Sequence, residues 1–168
     1  KDKIEYYSTL RTKSAIFRSN IVLVLIDAEK GFTRQDKSII DETIKVGKGL
    51  VLVINKWDLI KKNNDTMGKY IKSIKSQFKL IDYYPILFVS ALTKQRINKV
   101  LEISWQVYKR MKTRIPTKAL NSKMIEILNL NPPPSEKGKD ISIKYVAQVS
   151  TEPNVIALYL NYPYLVKT

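Results

Sequence analysis

The sequence predicts an α/β fold in which a parallel sheet with crossover helices is followed by a smaller α+β portion. Three apolar runs of strand length, residues 21–26, 50–54 and 86–89, alternate with segments of helical spacing. Continuous apolar runs are typical of parallel strands that are buried on both faces. After Pro116 this alternation stops, and one helix is followed by two partly alternating strands. These observations indicate two domains.

The first two predicted helices lie on either side of strand 21–26. Residues 6–17 have helical spacing and place four side chains on one side: Tyr7, Leu10, Ser14 and Phe17. Thr33 and Asp36 have the spacing of a capping box, which opens a second helix, and Gly47 is its stop signal.

The third and fourth predicted helices follow strands 50–54 and 86–89. The third carries an apolar stripe at helical spacing, formed by Met67, Ile71, Ile74 and Phe78. Four lysines between these positions predict a basic outer face: Lys69, Lys72, Lys75 and Lys79. We interpret them as candidate RNA contacts, with plain solvation of the helix as the alternative. The fourth helix is predicted to pack one side, which consists of Ile97, Val100, Leu101, Ser104, Val107, Tyr108 and Met111.

A domain boundary is predicted where proline ends the fourth helix, so that one domain spans residues 1–115 and the other residues 116–168. The second domain begins with a helix near 118–129 and a proline-rich loop at 131–139. Two strands follow, at 141–149 and 155–161, and the residues between them predict a turn that makes the pair antiparallel.

Composition limits the classes of site that the chain can carry. The 168 residues are 44% hydrophobic and 27% charged, as in ordinary globular proteins. Cysteine and histidine are both absent, which excludes disulfides and thiolate metal sites and removes the commonest general base. No apolar run approaches the length of a membrane span, and residues 1–20 lack the apolar core of a signal peptide. We therefore expect a cytoplasmic protein with no membrane partner.

The charge is strongly positive and unevenly distributed. The formal net charge is +15, of which residues 1–115 carry +13 (24 basic and 11 acidic) and residues 116–168 carry +2 (6 basic and 4 acidic). Such a balance predicts attraction to polyanions, most often nucleic acid. The abundance of Lys and Ile is also expected from an AT-rich genome, so coding bias is a second explanation.

The stretch Asn-Lys-Trp-Asp at residues 55–58 directly follows strand 50–54. In open α/β sheets, ligands bind at the carboxyl ends of the strands. Asp58 offers two acceptor oxygens to the ring N–H and exocyclic amine of guanine, the Lys56 stem can lie along the base, and the Asn55 amide can join neighbouring loops. This pattern predicts a guanine site. The alternative is an ordinary strand-end turn with a solvated Lys and a capping Asp.

Ser90 and Ala91 support the guanine interpretation because they follow the next strand, 86–89. In guanine-nucleotide folds, a Ser-Ala pair at this place presents a backbone N–H, here that of Ala91, to the guanine carbonyl oxygen. Small side chains are needed there because the backbone itself must approach the base.

Several segments resemble, in order, the Der (EngA) family of bacterial GTPases. These segments are residues 5–12, 27–36, 47–50 leading to 55–59, 90–93, 114–117, 132–135 and 137–139. The resemblance is specific, because a Pro-Pro-Pro-Ser segment after a guanine-reading half-domain is not shared by GTPases generally.

Der-like proteins have two GTPase domains in tandem, then a KH-like domain, and act in maturation of the large ribosomal subunit. The resemblance implies that residues 1–115 are the C-terminal half of a P-loop-type GTPase domain, the second of the two, and that residues 116–168 begin the KH-like domain. It implies GTP or GDP as ligand, Mg²⁺ in the intact protein, and ribosomal RNA or the large subunit as partner. The guanine-binding role falls on Asn55, Lys56, Asp58, Ser90 and Ala91, whereas Trp57 and Leu59 are expected to pack the loop.

The chain departs from the family pattern in its nucleotide site. It contains no G-x-x-x-x-G-K-[ST] segment, and no Asp-x-x-Gly precedes residue 6. The phosphate cradle, the magnesium ligands and the γ-phosphate sensor are therefore missing from it. We expect a fragment truncated at both ends, with no catalytic residue of its own and no GTP hydrolysis by this chain alone. Strand 21–26 would then be an exposed apolar edge.

Two alternatives remain open. In the first, the intact protein is a non-catalytic RNA- or ribosome-binding module with a vestigial nucleotide site, and the upstream sequence would decide this. In the second, the protein is an Era-like GTPase, whose KH domain carries a G-x-x-G loop that clamps RNA. Only Gly138 lies near the corresponding place here, which disfavours the Era-like alternative.

Overall fold

The computed structural model describes residues 2–61, 63, 65–131 and 138–166. The chain divides into two compact units, Lys1–Arg110 and Met111–Thr168. This division lies close to the predicted boundary between residues 115 and 116, whose placement stays a prediction.

A three-stranded parallel sheet organises the first unit. Its strands are β1 (Ile21–Asp27), β2 (Gly49–Asn55) and β3 (Ile86–Phe88), in the order β1-β2-β3. The register places the last residue of β1, Asp27, opposite the last residue of β2, Asn55. The two strands therefore end side by side, at the edge where the sequence places its polar residues.

Four helices accompany this sheet, in the predicted order along the chain. They are α1 (Asp2–Arg18), α2 (Arg34–Lys45), α3 (Thr66–Gln77) and α4 (Ile97–Lys112). The predicted capping box opens α2, with the Thr33 N–H 2.8 Å from Asp36 Oδ2 and the Asp36 N–H 3.2 Å from Thr33 Oγ1. Gly47 follows α2 with a φ of +69°, the left-handed conformation that ends helices at glycine.

The core lies on both faces of β2, which is buried from Gly49 to Ile54. One face packs against α2 and α3 through residues that include Ile40, Ile54, Ile74, Phe78 and Phe88. The other face packs against α4 through Val51, Val53, Val89 and Val100. A central strand covered on both sides needs apolar residues at every position, and this is why the run at 50–54 has no alternation.

Strand β1 is not buried on both faces, which corrects the prediction for residues 21–26. Val24 and Ile26 face the core, but Leu23 is 38% exposed and Leu25 is 62% exposed. Among the described strands, β1 pairs only with β2, so one of its edges is open. An apolar run identifies a strand but does not say how many layers cover it.

The helix faces also differ in part from the prediction. In α1, Ile16 is the buried residue among the described side chains, whereas Leu10 and Phe17 are exposed. In α4, Val100 is buried as predicted, but Leu101 is exposed. In α1 the helical spacing was right but the rotation of the helix about its axis was wrong, whereas in α4 the predicted side is buried or partly buried except at Leu101.

The second unit contains α5 (Thr117–Leu130) and an antiparallel pair, β4 (Ile143–Thr151) and β5 (Asn154–Leu160). This confirms the predicted helix and hairpin. The Asn121 side chain joins α5 to β4, because it accepts a hydrogen bond from the Val146 N–H (2.9 Å) and donates one to the Val146 carbonyl (2.7 Å). The proline-rich segment predicted as a loop lies largely outside the described residues, at 132–137.

None of the helices, as far as the described residues extend, is long and apolar enough to cross a membrane.

Candidate guanine-binding site

Asn55 links the ends of all three strands. Its side-chain Oδ1 accepts a hydrogen bond from the Ala91 N–H, 3.0 Å away, and its backbone carbonyl accepts one from the Ala28 N–H at 2.9 Å. The Trp57 N–H donates to the Val89 carbonyl at 3.0 Å. The segments after β1, β2 and β3 are thus tied together, as the predicted role of the Asn55 amide requires.

The Ala91 N–H does not point freely out of the site. We predicted that it would face a guanine carbonyl oxygen, and in the structure it donates to Asn55. Ala91 is an exposed residue, but its N–H would have to turn from Asn55 or be shared with a ligand. The assignment of Ala91 to guanine binding stays a prediction.

Asp58 carries a buried acceptor without a donor. Its Oδ1 atom has almost no contact with solvent, and no described residue donates a hydrogen bond to it. A buried carboxylate oxygen without a donor is costly, by about 1–3 kcal/mol or more for a charged group. Guanine presents two adjacent N–H donors on one edge, and because Oδ1 is covered by protein atoms, the Asp58 side chain or its loop would shift when the base binds. The chemistry of Asp58 therefore fits that base.

Ser90 is fully buried and shapes the turn after β3. Its Oγ accepts a hydrogen bond from the Thr93 N–H at 3.1 Å, and its own N–H donates to the Gln95 carbonyl at 3.2 Å. Ser90 therefore acts on the site through the backbone conformation that places Ala91.

Lys56 adopts a left-handed backbone conformation with a φ of +61°, which is uncommon for a residue with a Cβ atom. Its ammonium lies 2.6 Å from Oδ2 of Asp27, the last residue of β1. This hydrogen bond lowers the pKa of the Asp27 carboxyl and raises the pKa of the Lys56 ammonium. Asp27 was not predicted as a site residue, although its position at the end of a neighbouring strand was a usable signal.

Three aromatic rings lie beneath the loop. Trp57 is 3% exposed, with its ring centroid 4.4 Å from that of Phe88 and 5.6 Å from that of Tyr70. The expectation that Trp57 packs the loop therefore agrees with its position. Leu59 was expected to do the same, but it is 52% exposed, so this expectation was wrong.

The four candidate RNA-contacting lysines are all exposed, but they do not share one helix. Lys69, Lys72 and Lys75 lie on α3, which ends at Gln77, and Lys79 begins the 3₁₀ turn that follows. Lys75 forms an ion pair with Asp82 on that turn. The basic face is therefore smaller than predicted. The lysine spacing continues past the end of α3, and no proline marks that end in the sequence.

No group of three or more potential metal-ligating carboxylates was found among the residues that the structure describes. The expected Mg²⁺ ion concerns the intact protein, and nothing in this unit assigns its ligands.

Two family models match the chain. Residues 6–110 match the elongation factor Tu GTP-binding domain, and residues 114–168 match the KH-domain-like C-terminal domain of EngA bacterial GTPase enzymes. The chain belongs to the GTP-binding domain family of elongation factor Tu. The predicted fold class, part of a GTPase domain followed by a KH-like domain, is confirmed.

Curated relatives confirm the predicted resemblance. The chain is 45% identical over 160 residues to GTPase Der of Alkaliphilus oremlandii, covering 95% of this chain and 36% of the relative. It is 40% identical over 166 residues to GTPase Der of Chloroherpeton thalassium, covering 99% of this chain and 38% of the relative. The chain thus spans little more than a third of the length of these relatives. Together with the EngA-type match, they disfavour the Era-like alternative.

A solved structure supports the fold alone. The GTP-binding protein engB aligns with a TM-score of 0.51 at 14% identity, covering 65% of this chain and 66% of that chain.

Proposed function

We propose that this chain supplies guanine recognition to a Der-like GTPase. The observation that carries the proposal is the buried Oδ1 of Asp58, which has no donor among the described residues and lies in the loop that follows β2. Asn55 holds this loop against Ala91, and Lys56 and Ser90 complete the set. The family match supports a guanine nucleotide, GTP or GDP, as the ligand.

For the whole protein, we propose GTP hydrolysis with Mg²⁺ and a cytoplasmic role in maturation of the large ribosomal subunit. The support is the similarity to proteins named GTPase Der and the match of residues 114–168 to the EngA KH-like domain. This sequence contains no counterpart of the phosphate loop and magnesium ligands of such an enzyme. We therefore propose that phosphate binding, magnesium binding and hydrolysis depend on other parts of the intact protein.

We propose ribosomal RNA as the polyanion that the basic first domain binds. The +13 charge of residues 1–115 supports this, as do the exposed side chains of Lys69 and Lys72. The non-catalytic binding module remains the second candidate, because the same charge would serve it equally well.

The test of guanine recognition is Asp58→Asn in the full-length protein. The amide replaces one acceptor oxygen by a donor, so GDP affinity should fall by about a hundredfold or more, while xanthosine diphosphate, whose extra carbonyl suits the amide, should bind better. Isothermal titration calorimetry with both nucleotides measures this. Asp65→Asn is the matched control, because it removes the same charge from the same loop and its side chain makes no capping hydrogen bond. Unchanged GDP affinity in Asp58→Asn would contradict the assignment.

A further inference from the structure

The carboxylate of Asp27 makes two different kinds of contact. Its Oδ1 accepts hydrogen bonds from the N–H groups of Glu29 (3.0 Å) and Lys30 (3.4 Å), which close the turn after β1. Its Oδ2 binds the Lys56 ammonium at 2.6 Å. One oxygen therefore holds the local turn, and the other reaches across to the loop after β2.

Both ends of this ion pair are held by the sheet. Asp27 is paired in register with Asn55, the residue directly before Lys56. The Ala28 N–H donates to the Asn55 carbonyl at 2.9 Å, which extends the β1–β2 ladder past Asp27. The Asp27 carboxylate is thus a rigid point beside the loop, and its own side chain is only 22% exposed.

The Lys56 side chain needs a fixed partner of this kind to hold one conformation. Its left-handed backbone, with a φ of +61°, is strained in a residue other than glycine. A lysine side chain also loses much of its rotamer entropy when it is ordered. Without an anchor, the exposed stem would sample many rotamers. The ion pair selects the rotamers that carry the ammonium to the end of β1.

We propose that Asp27 is a positioning residue of the guanine site, which holds the aliphatic stem of Lys56 in place as a preformed wall for the base. The proposal rests on the guanine recognition proposed above. It adds that the ammonium is bound to the protein rather than to phosphate, so the contribution of Lys56 is made to the base. The Lys56 side chain is 49% exposed, which leaves part of its stem available to a ligand.

Asp27→Asn isolates this role. The amide oxygen can still accept from the Glu29 and Lys30 N–H groups, but the charge that attracts Lys56 is gone. We expect affinity to fall about two- to fivefold, the range of an exposed ion pair. The loss should be the same factor for guanosine and GDP in calorimetric titrations of the full-length protein, since the stem contacts only the part they share. The preference for guanine over xanthine should remain, because Asp58 is untouched.

A double-mutant cycle with Lys56→Met tests whether Asp27 acts through Lys56. In the Lys56→Met background, Asp27→Asn should have no further effect on affinity, whereas a purely structural role would give the same loss in both backgrounds. In the free protein, Asp27→Asn should also lower the pKa of the Lys56 ammonium, measured by NMR. Asp82→Asn is the matched control, since it breaks the ion pair with Lys75 away from the site.

Three results would overturn the proposal. The first is an additive cycle, and the second is an unchanged affinity in Asp27→Asn. The third is tighter binding of GDP, but not of guanosine, in Asp27→Asn, which would mean that Asp27 withholds the ammonium from phosphate. Asp58→Asn separates the two levels: if it weakens GDP binding and Asp27→Asn fails, only the positioning role is wrong. If Asp58→Asn has no effect, guanine recognition itself is wrong.

Discussion

At the scale of single residues, the loop that follows β2 combines exposed polar groups with a buried support. Lys56 is exposed and in a left-handed conformation, yet the next residue, Trp57, is almost wholly buried. The Trp57 backbone N–H also bonds to Val89, so both the ring and the backbone hold the loop to β3. Because Trp57 fixes the loop, the next residue, Asp58, is held with one carboxylate oxygen out of contact with solvent.

Trp57→Ala should destabilise the first unit by about 3–5 kcal/mol, because it leaves a cavity between Tyr70 and Phe88. Urea denaturation followed by circular dichroism measures this loss. The chain offers a matched control in Trp105→Ala: Trp105 is 57% exposed on α4, and its ring stacks on Tyr108 at 5.4 Å. The control should cost about 1 kcal/mol or less. Equal losses in both variants would refute the support role of Trp57.

At the scale of elements, α3 has one side that packs in the core and one side that exposes lysines. Ile74 and Phe78 are buried on one side, and Met67 is exposed near the beginning of the helix. The lysines lie outward, where substitution does not disturb this packing. Ending α3 at Gln77 matters for partner binding, because it removes Lys79 from the helical face and brings Lys75 to Asp82.

Lys69→Gln with Lys72→Gln should lower the salt dependence of binding to large-subunit ribosomal RNA. Each phosphate contact contributes roughly 0.7–0.9 to the log–log salt slope, so the double variant should lose about 1.5. Filter binding or fluorescence anisotropy over a salt series measures the slope. Lys75→Gln is the control, and its effect should be smaller because this lysine is already paired with Asp82. An unchanged slope in the double variant would mean that the lysines only solvate α3 and would direct attention to the KH-like unit.

At the scale of the whole molecule, the first unit presents the candidate guanine-binding edge and a partly uncovered sheet. Leu23 and Leu25 are exposed on β1, whose outer edge has no partner among the described strands. Exposed apolar strands of this kind favour self-association. The positive charge opposes it, since like-charged molecules repel each other.

Residues 1–168 by themselves should bind GDP more weakly than the micromolar range. The sequence contains no phosphate loop, and a phosphate loop is the strongest electrostatic anchor of such a nucleotide. Calorimetric titration of the isolated chain tests this, with guanosine as the comparison. Guanosine and GDP should bind with similar weakness, because the phosphates meet no receptor. Micromolar affinity for GDP alone would contradict the prediction.

The helices, the strands and the location of the candidate site could be predicted from the sequence, because their signals are local. The apolar run at 50–54, the capping box at Thr33 and the Asn-Lys-x-Asp segment each act within one strand, one turn or one loop. A polar cluster directly after a buried strand can lie only at the carboxyl edge of the sheet, so Asn55 and Asp58 could be placed in advance.

The contacts between these elements could not be predicted and became visible in the folded structure. The pairing of Asp27 with Lys56 depends on the register of β1 against β2, which joins residues far apart in the sequence. The exposure of Leu25 depends on how many layers cover β1. Similarly, the commitment of the Ala91 N–H to Asn55 arises from the approach of two loops. Such contacts depend on packing between residues far apart in the sequence, so the local pattern of residues does not predict them.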